Sequence, residues 1–180
     1  MMRSEARLGF LIALAILVVD QLSKFVVTDL LGIASPGDAM ELLPFFDLRF
    51  VPNVGVSLGL LPADSPAMRW ALVAMTAFIA IGVGIWMTRE KNGQDRVALA
   101  MVLGGALGNI LDRARFGYVV DFADLHFGEW RPFLVFNVAD AAITIGVLVL
   151  VIRALLVREK PEPRPDPDTA RTPTENLENA

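Results

Sequence analysis

The sequence predicts an α-helical membrane protein: four transmembrane helices, both termini in the cytoplasm, and a small β-containing segment on the outer membrane surface. Three observations carry that reading. Hydrophobic residues fill 54% of the 180 positions and the mean hydropathy is +0.53, with the apolar residues gathered into long runs. Four such runs, at residues 8–27, 68–87, 97–111 and 136–157, have lengths suited to crossing a hydrocarbon core. Basic residues cluster at both chain ends and in one short connection, which places those three regions on the cytoplasmic side.

The first run carries Asp20 and Lys24 and ends without a small-residue cleavage site, so it is a retained helix rather than a cleaved leader. The segment that follows, residues 28–67, has Arg49 as its single basic residue and lies outside. Within it Phe46, Leu48 and Phe50 alternate, the period of short strands on the membrane surface. The second run leads to a connection holding Arg89, Lys91 and Arg96 on the inner side. The third run is the shortest, and the loop 114–135 after it is again outside. The fourth is followed by Arg153, Arg158, Lys160 and Arg164. Residues 1–159 thus form a single membrane domain, and 160–180, rich in proline and charge, form a disordered cytoplasmic tail.

The chain has no cysteine and one histidine, His126. Thiolate chemistry, histidine-based triads and His-rich zinc sites therefore lack material, and no metal or cofactor is expected. No basic patch suggests nucleic acid. Carboxylates are the titratable groups that remain, and polar residues inside spans are costly enough to mark function. Arg7 to Asp20, Arg96 to Asn109 and Arg153 to Asp140 are each 13 residues apart, about 20 Å along a helix. Three helices thus bring polar groups to one depth. Gly105, Asn109 and Asp112 share a helix face, as do Asn137, Asp140 and Thr144. Gly104 and Gly108 form a small-xxx-small pair suited to close helix packing.

Asp20 and Lys24, spaced i, i+4, can neutralise each other, and Asp112 with Arg113 can form an interfacial pair. Asp140 and Asp121 have no basic neighbour within a helical turn. Two such acids, brought together, would share a proton, leaving one as base and one as acid. The same two groups could instead serve a proton pathway, so a small proton-coupled transporter is the rival reading. Against it, the chain has no internal repeat and its polar groups lie near one surface rather than the midplane. A Ser-Lys dyad from Ser57 or Ser23 with Lys24 is weaker still, because Ser23 points elsewhere on the helix.

The runs VVDQLSKF (residues 18–25), NVG (53–55), GGALGNILDR (104–113), VVDF (119–122) and FNVADAAITIG (136–146), in this order, resemble the motifs of lipoprotein signal peptidase, or signal peptidase II, an aspartyl peptidase family. The resemblance implies a multi-pass enzyme of the bacterial inner membrane, with its site toward the periplasm and no cofactor. It would be a monomer among membrane lipids, removing signal peptides from diacylglyceryl-modified prolipoproteins before the lipidated cysteine. It further implies Asp121 and Asp140 as the catalytic pair, and Asn53, Asn109, Arg113 and Asn137 as residues lining the site and holding the substrate backbone. Asp20, Lys24, Gly55, Gly105, Asp112 and Ala139 match motif positions of structural or supporting kind. After NVG, Val56-Ser57-Leu58-Gly59 departs from the usual Ala-Ala-Phe-Ser, which changes the local pocket rather than the chemistry. Asp124, close behind Asp121, is expected to be solvated.

Overall fold

The computed structural model describes residues 2–55 and 66–156. The expected tail, and the departing positions 56–59 with Ser57, lie outside the described residues. The chain runs α1 (Met2–Phe25), one π-helical turn (Val26–Leu30), β1 (Ala39–Leu43), β2 (Phe46–Asn53), α2 (Pro66–Arg89), α3 (Gly93–Arg115), β3 (Val119–Leu125) and α4 (Val138–Leu156). Four helices are long and apolar enough to cross a membrane: Glu5–Leu30, Pro66–Arg89, Gly93–Arg115 and Val138–Leu156. The first three are longer than their apolar runs, because helices extend through flanking residues that the apolar runs leave out.

α3 is the least hydropathic of the four, at 1.4, and the most buried. It touches protein on several sides, packing against α1, α2 and α4, so it needs less lipid-compatible surface. Its glycines make that possible. A Cβ on Gly104 would sit 2.5 Å from the carbonyl oxygen of Ala13 in α1, and one on Gly105 would collide with the carbonyl of Ala139 in α4. Large apolar side chains instead face outward, with Phe78 on α2 and Leu155 on α4 each 78% exposed. In water that distribution would be untenable; in lipid it is the expected one.

The shared depth of the helices is realised at both ends of the bundle. At one end Arg96, buried at the start of α3, donates to Glu5 of α1 at 2.9 Å and to the carbonyl of Glu90 at 2.9 Å. Arg96 is therefore a helix residue tying two elements together rather than a free charge of the connection. Arg153 of α4 pairs there with Asp95 and Gln94. Asn92 starts α3 by accepting the backbone N–H of Gln94 at 2.9 Å. At the other end Asp20 accepts the N–H of Ala139 at 2.9 Å.

At that second end the strands form one antiparallel sheet in the order β1-β2-β3. The short strands expected about Phe46, Leu48 and Phe50 are joined by a further strand, β3, which the sequence had not announced. Val51 pairs with Asp121 and Asn53 with Val119. Phe46, Leu48, Phe50, Val120 and Phe122 pack with Val27 and Ile33 into a small core beneath the sheet. Phe136, expected inside the fourth span, instead forms a β-bridge with Ala123, and its N–H and carbonyl both bond Ala123, at 3.1 and 2.8 Å. The helix begins only at Val138, because that bridge holds Phe136 extended.

Candidate active site

Asp121 and Asp140 reach the same place from different elements. Asp121 projects from β3 and is buried; Asp140 lies in the first turn of α4 and is half-buried. Asn137 joins them. Its side-chain oxygen accepts the N–H of Asp140 at 2.9 Å, while the Asp140 carboxylate accepts the N–H of Asn137 at 3.3 Å, a reciprocal cap that starts α4. The amide nitrogen of the same Asn137 donates to Asp121 at 2.6 Å. Asn137 is thus a capping residue just before the helix, not a member of a helical face with Asp140.

Two further asparagines complete the frame. Asn53, on β2, donates to the other oxygen of Asp121 at 2.9 Å, a diagonal cross-strand contact fixed by the register. Asn109, on α3, donates to Asp140 at 2.8 Å. Expected as groups lining the site, these side chains each spend an amide N–H on a carboxylate. Burial pushes the Asp121 carboxyl up to about 7; the Asn53 bond opposes the rise, repulsion from Asp140 adds to it, and the Asn137 bond opposes it. Asp121 therefore keeps a proton at neutral pH far better than an ordinary aspartate.

Arg113 is the cation of the site. Its guanidinium lies in the field of Asp140 and Asp121 and, more weakly, Asp112, so it faces the carboxylate pair rather than forming an ion pair with its neighbour. Its Nε is buried without a hydrogen-bond partner among the described residues. Gly55, at φ +85°, lets the chain pass close by: a Cβ there would stand 3.3 Å from Nη2 of Arg113. Arg69 at the start of α2, passed over in the sequence, donates to the carbonyls of Arg113 and Ala114. Nothing local in the sequence marks it, because its place at the C-terminal end of α3 is a contact between distant segments.

Beneath this level is a second charged group. Lys24 stands between Asp20 at 2.8 Å and Asp112 at 2.7 Å, all three nearly inaccessible. Gln21 donates to Asp112 at 2.8 Å, and Asp112 and Asp20 accept the N–H groups of Val120 and Ala139. Backbone donors and the N-terminus of α4 thus share the second negative charge with Lys24. Asp112 pairs with Lys24 and not with Arg113, as the sequence had suggested. Gly108 permits this, since a Cβ there would lie 2.5 Å from the Asp20 carboxylate. Ser23 donates to the carbonyl of Asp20, and Lys24 is committed to two acids, so no Ser23-Lys24 dyad exists.

Asp124 is also placed differently from the expectation: it is buried, with Arg49 at 3.4 Å and Arg131 at 3.2 Å, because the sheet and the loop after β3 fold over it. An apolar cleft of about 250 Å³, lined by Leu125, Phe133, Phe136, Thr144 and Ile145, opens onto Asp140. A larger cleft of about 710 Å³ lies at the opposite end between α3 and α4, far from the carboxylates. Chemistry, not volume, selects the first.

Comparison with known proteins identifies the family. The family model for signal peptidase (SPase) II matches residues 12–156. The lipoprotein signal peptidase of Rhizorhabdus wittichii is 56% identical over 89% of this chain and 93% of its own length. That of Sphingopyxis alaskensis is 53% identical over 86% and 88%. A solved bacterial membrane enzyme, 32% identical, superposes with a TM-score of 0.69 over 82% of this chain and 92% of its own. The chain belongs to the signal peptidase II family, the lipoprotein signal peptidases, and is a multi-pass membrane peptidase.

Proposed function

We propose that the chain cuts diacylglyceryl-modified prolipoproteins before the lipidated cysteine, with Asp121 and Asp140 as an aspartyl pair. The observation that carries this is the convergence of two carboxylates on Asn137, with Asp121 held protonated near neutrality. Asp140, ionised, takes a proton from water as the water oxygen attacks the scissile carbonyl carbon. Asp121 gives its proton to the carbonyl oxygen, and a gem-diol forms. Asp140 then passes its proton to the leaving nitrogen, the C–N bond breaks, and a diol hydroxyl returns a proton to Asp121. Both carboxyls end as they began.

The asparagines hold the carboxylates in place, and Arg113, with unspent donors, binds a substrate backbone carbonyl. The apolar cleft beside Asp140 suits the lipid-bearing side of the substrate, which reaches the site laterally between helices. The carboxylate end of the bundle faces the periplasm, both termini face the cytoplasm of a bacterial inner membrane, and the enzyme works as a monomer without a cofactor.

The direct test is purified protein with a prolipoprotein substrate, with and without diacylglyceryl on the cysteine. The reading requires loss of the signal peptide from the modified form only. Equal cleavage of both forms removes the lipid requirement, and no cleavage of either removes the activity. Because carboxylates supply both proton-transfer groups, EDTA leaves the rate unchanged; inhibition that zinc reverses contradicts the mechanism.

A further inference from the structure

Five of the six buried side-chain polar atoms left without a hydrogen bond among the described residues lie in one patch of the sheet, away from the carboxylate pair: on Asp47, Arg49, Asp124 and His126. Its origin is the strand register. Asp47 on β2 stands directly opposite Asp124 on β3, and both acids are over nine-tenths buried. Like charges facing across a ladder repel, so each draws a polar partner. Asp47 has the imidazole of His126 at 3.2 Å. Asp124 has two arginines, whose Nε atoms converge on a single carboxylate oxygen, Arg49 at 3.4 Å and Arg131 at 3.2 Å.

That arrangement leaves donors to spare rather than charge. The two guanidiniums balance the two acids, Asp47 and Asp124, while their side chains remain 40% and 43% exposed. Their Nη atoms have no partner among the described residues. Arg131 follows a tight turn in which Phe127 and Trp130 exchange backbone hydrogen bonds at 2.8 and 3.3 Å, with their rings 5.8 Å apart. Trp130 is 65% exposed, and Phe127 is exposed beside it. Glu129, at the tip of that turn, is the single acid of the loop 126–135. An exposed tryptophan and phenylalanine next to arginines match the headgroup level of a bilayer, where amphipathic rings settle and phosphates are the available anions.

We infer that Arg49 and Arg131, seated on Asp124 beside the Phe127–Trp130 turn, form a binding site for the phosphate of an anionic phospholipid headgroup. Planar guanidiniums with free Nη donors fit phosphate oxygens in a way that a mobile lysine does not. The buried carboxylate holds the Arg131 fork by a hydrogen bond and draws Arg49 by charge, and the aromatic turn lies at the boundary of headgroups and acyl chains. The lipid would pin the sheet to the leaflet at the carboxylate end of the bundle.

The test uses the full chain with Trp70→Phe and Trp86→Phe, so that Trp130 alone fluoresces, in phosphatidylcholine bilayers. Brominated phosphatidylglycerol or brominated phosphatidylcholine is titrated in. Quenching of Trp130 should reach half its limit at roughly tenfold less phosphatidylglycerol than phosphatidylcholine, for two cations near the surface. High salt should narrow the gap. Arg49→Gln with Arg131→Gln should abolish the preference; adding Asp124→Asn removes the stranded buried acid, so this triple variant should keep its signal-peptide cleavage while still lacking the preference. Equal quenching by both lipids in the parent protein overturns the site without any variant. So does a preference that survives in the triple variant. Loss of the preference in millimolar inorganic phosphate at an ionic strength where chloride leaves it intact assigns the arginines to free phosphate, and a raised KM for prolipoprotein with the lipid preference intact assigns them to the peptide; either result overturns the lipid site. Lipid quenching is read independently of catalysis, so its failure is distinguishable from failure of the proposed peptidase reaction.

Discussion

Three asparagine side chains decide what two aspartates can do. Each donates an amide hydrogen to a carboxylate, which orients the acids without adding charge, and Asn137 does so while capping the helix that carries Asp140. Asp121→Asn and Asp140→Asn should each lower cleavage by about a thousandfold or more, with the protein still inserted and extractable as a folded species. Full turnover in either variant dismisses the pair. The pH profile follows from the sign of the Asp121 shift. A carboxyl raised to about 7 holds its proton below that pH and loses it above. Activity should therefore fall on the alkaline side near pH 7, as both carboxylates become charged, and on the acid side once neither can accept a proton. Those limbs belong to the pair, not to either residue. A profile flat from pH 5 to 8 is incompatible with it.

At the scale of elements, the bundle is fastened around α3 by close approach and by one buried ion group. Lys24 links α1 to α3, while Asp20 and Asp112 receive backbone N–H groups from α4 and β3. Lys24→Met should leave two carboxylates uncompensated and cost on the order of 3–5 kcal/mol, read as a large loss of thermal stability in detergent. Lys24→Met combined with Asp20→Asn and Asp112→Asn should recover much of that loss, since no buried charge then lacks a partner. No recovery implies that geometry, not charge, is what Lys24 supplies. Gly105 tests the packing itself. Gly105→Leu must push α4 away from α3, because even a Cβ collides with the Ala139 carbonyl, and it should separate Asn109 from Asp140 and reduce activity along with stability.

For the whole molecule, the sidedness of the bundle decides whether the site meets its substrate. The α2–α3 turn and both outer helix ends lie together, held by Arg96 to Glu5 and Arg153 to Asp95, opposite the sheet and the carboxylates. Cysteines introduced into this cysteine-free chain report the compartment of each end. Glu41→Cys, exposed on β1, should label with a membrane-impermeant thiol reagent from the periplasmic side, and Asn92→Cys should not. The reverse pattern would put the carboxylates in the wrong compartment and sink the proposed reaction.

The sequence by itself determined the four apolar helices, the strand pattern at Phe46, Leu48 and Phe50, and the level at which Asp20, Asn109 and Asp140 lie. Those features depend on hydropathy, local period and a rise of 1.5 Å per residue, which are properties of short stretches of chain. It also marked Asp121 and Asp140 as acids without a local partner. Tertiary structure alone decided who meets whom. Asp112 turned from its neighbour Arg113 to Lys24, 88 positions back in the sequence. Asn137 left the helix to cap it, because the bridge from Phe136 to Ala123 ends the helical run. Asp124, expected in water, is buried under two arginines, and the third strand emerged from an apolar run with no alternation to announce it. Each of these rests on contacts between distant segments, and a pairing of distant charges leaves no period in the sequence from which it could be read.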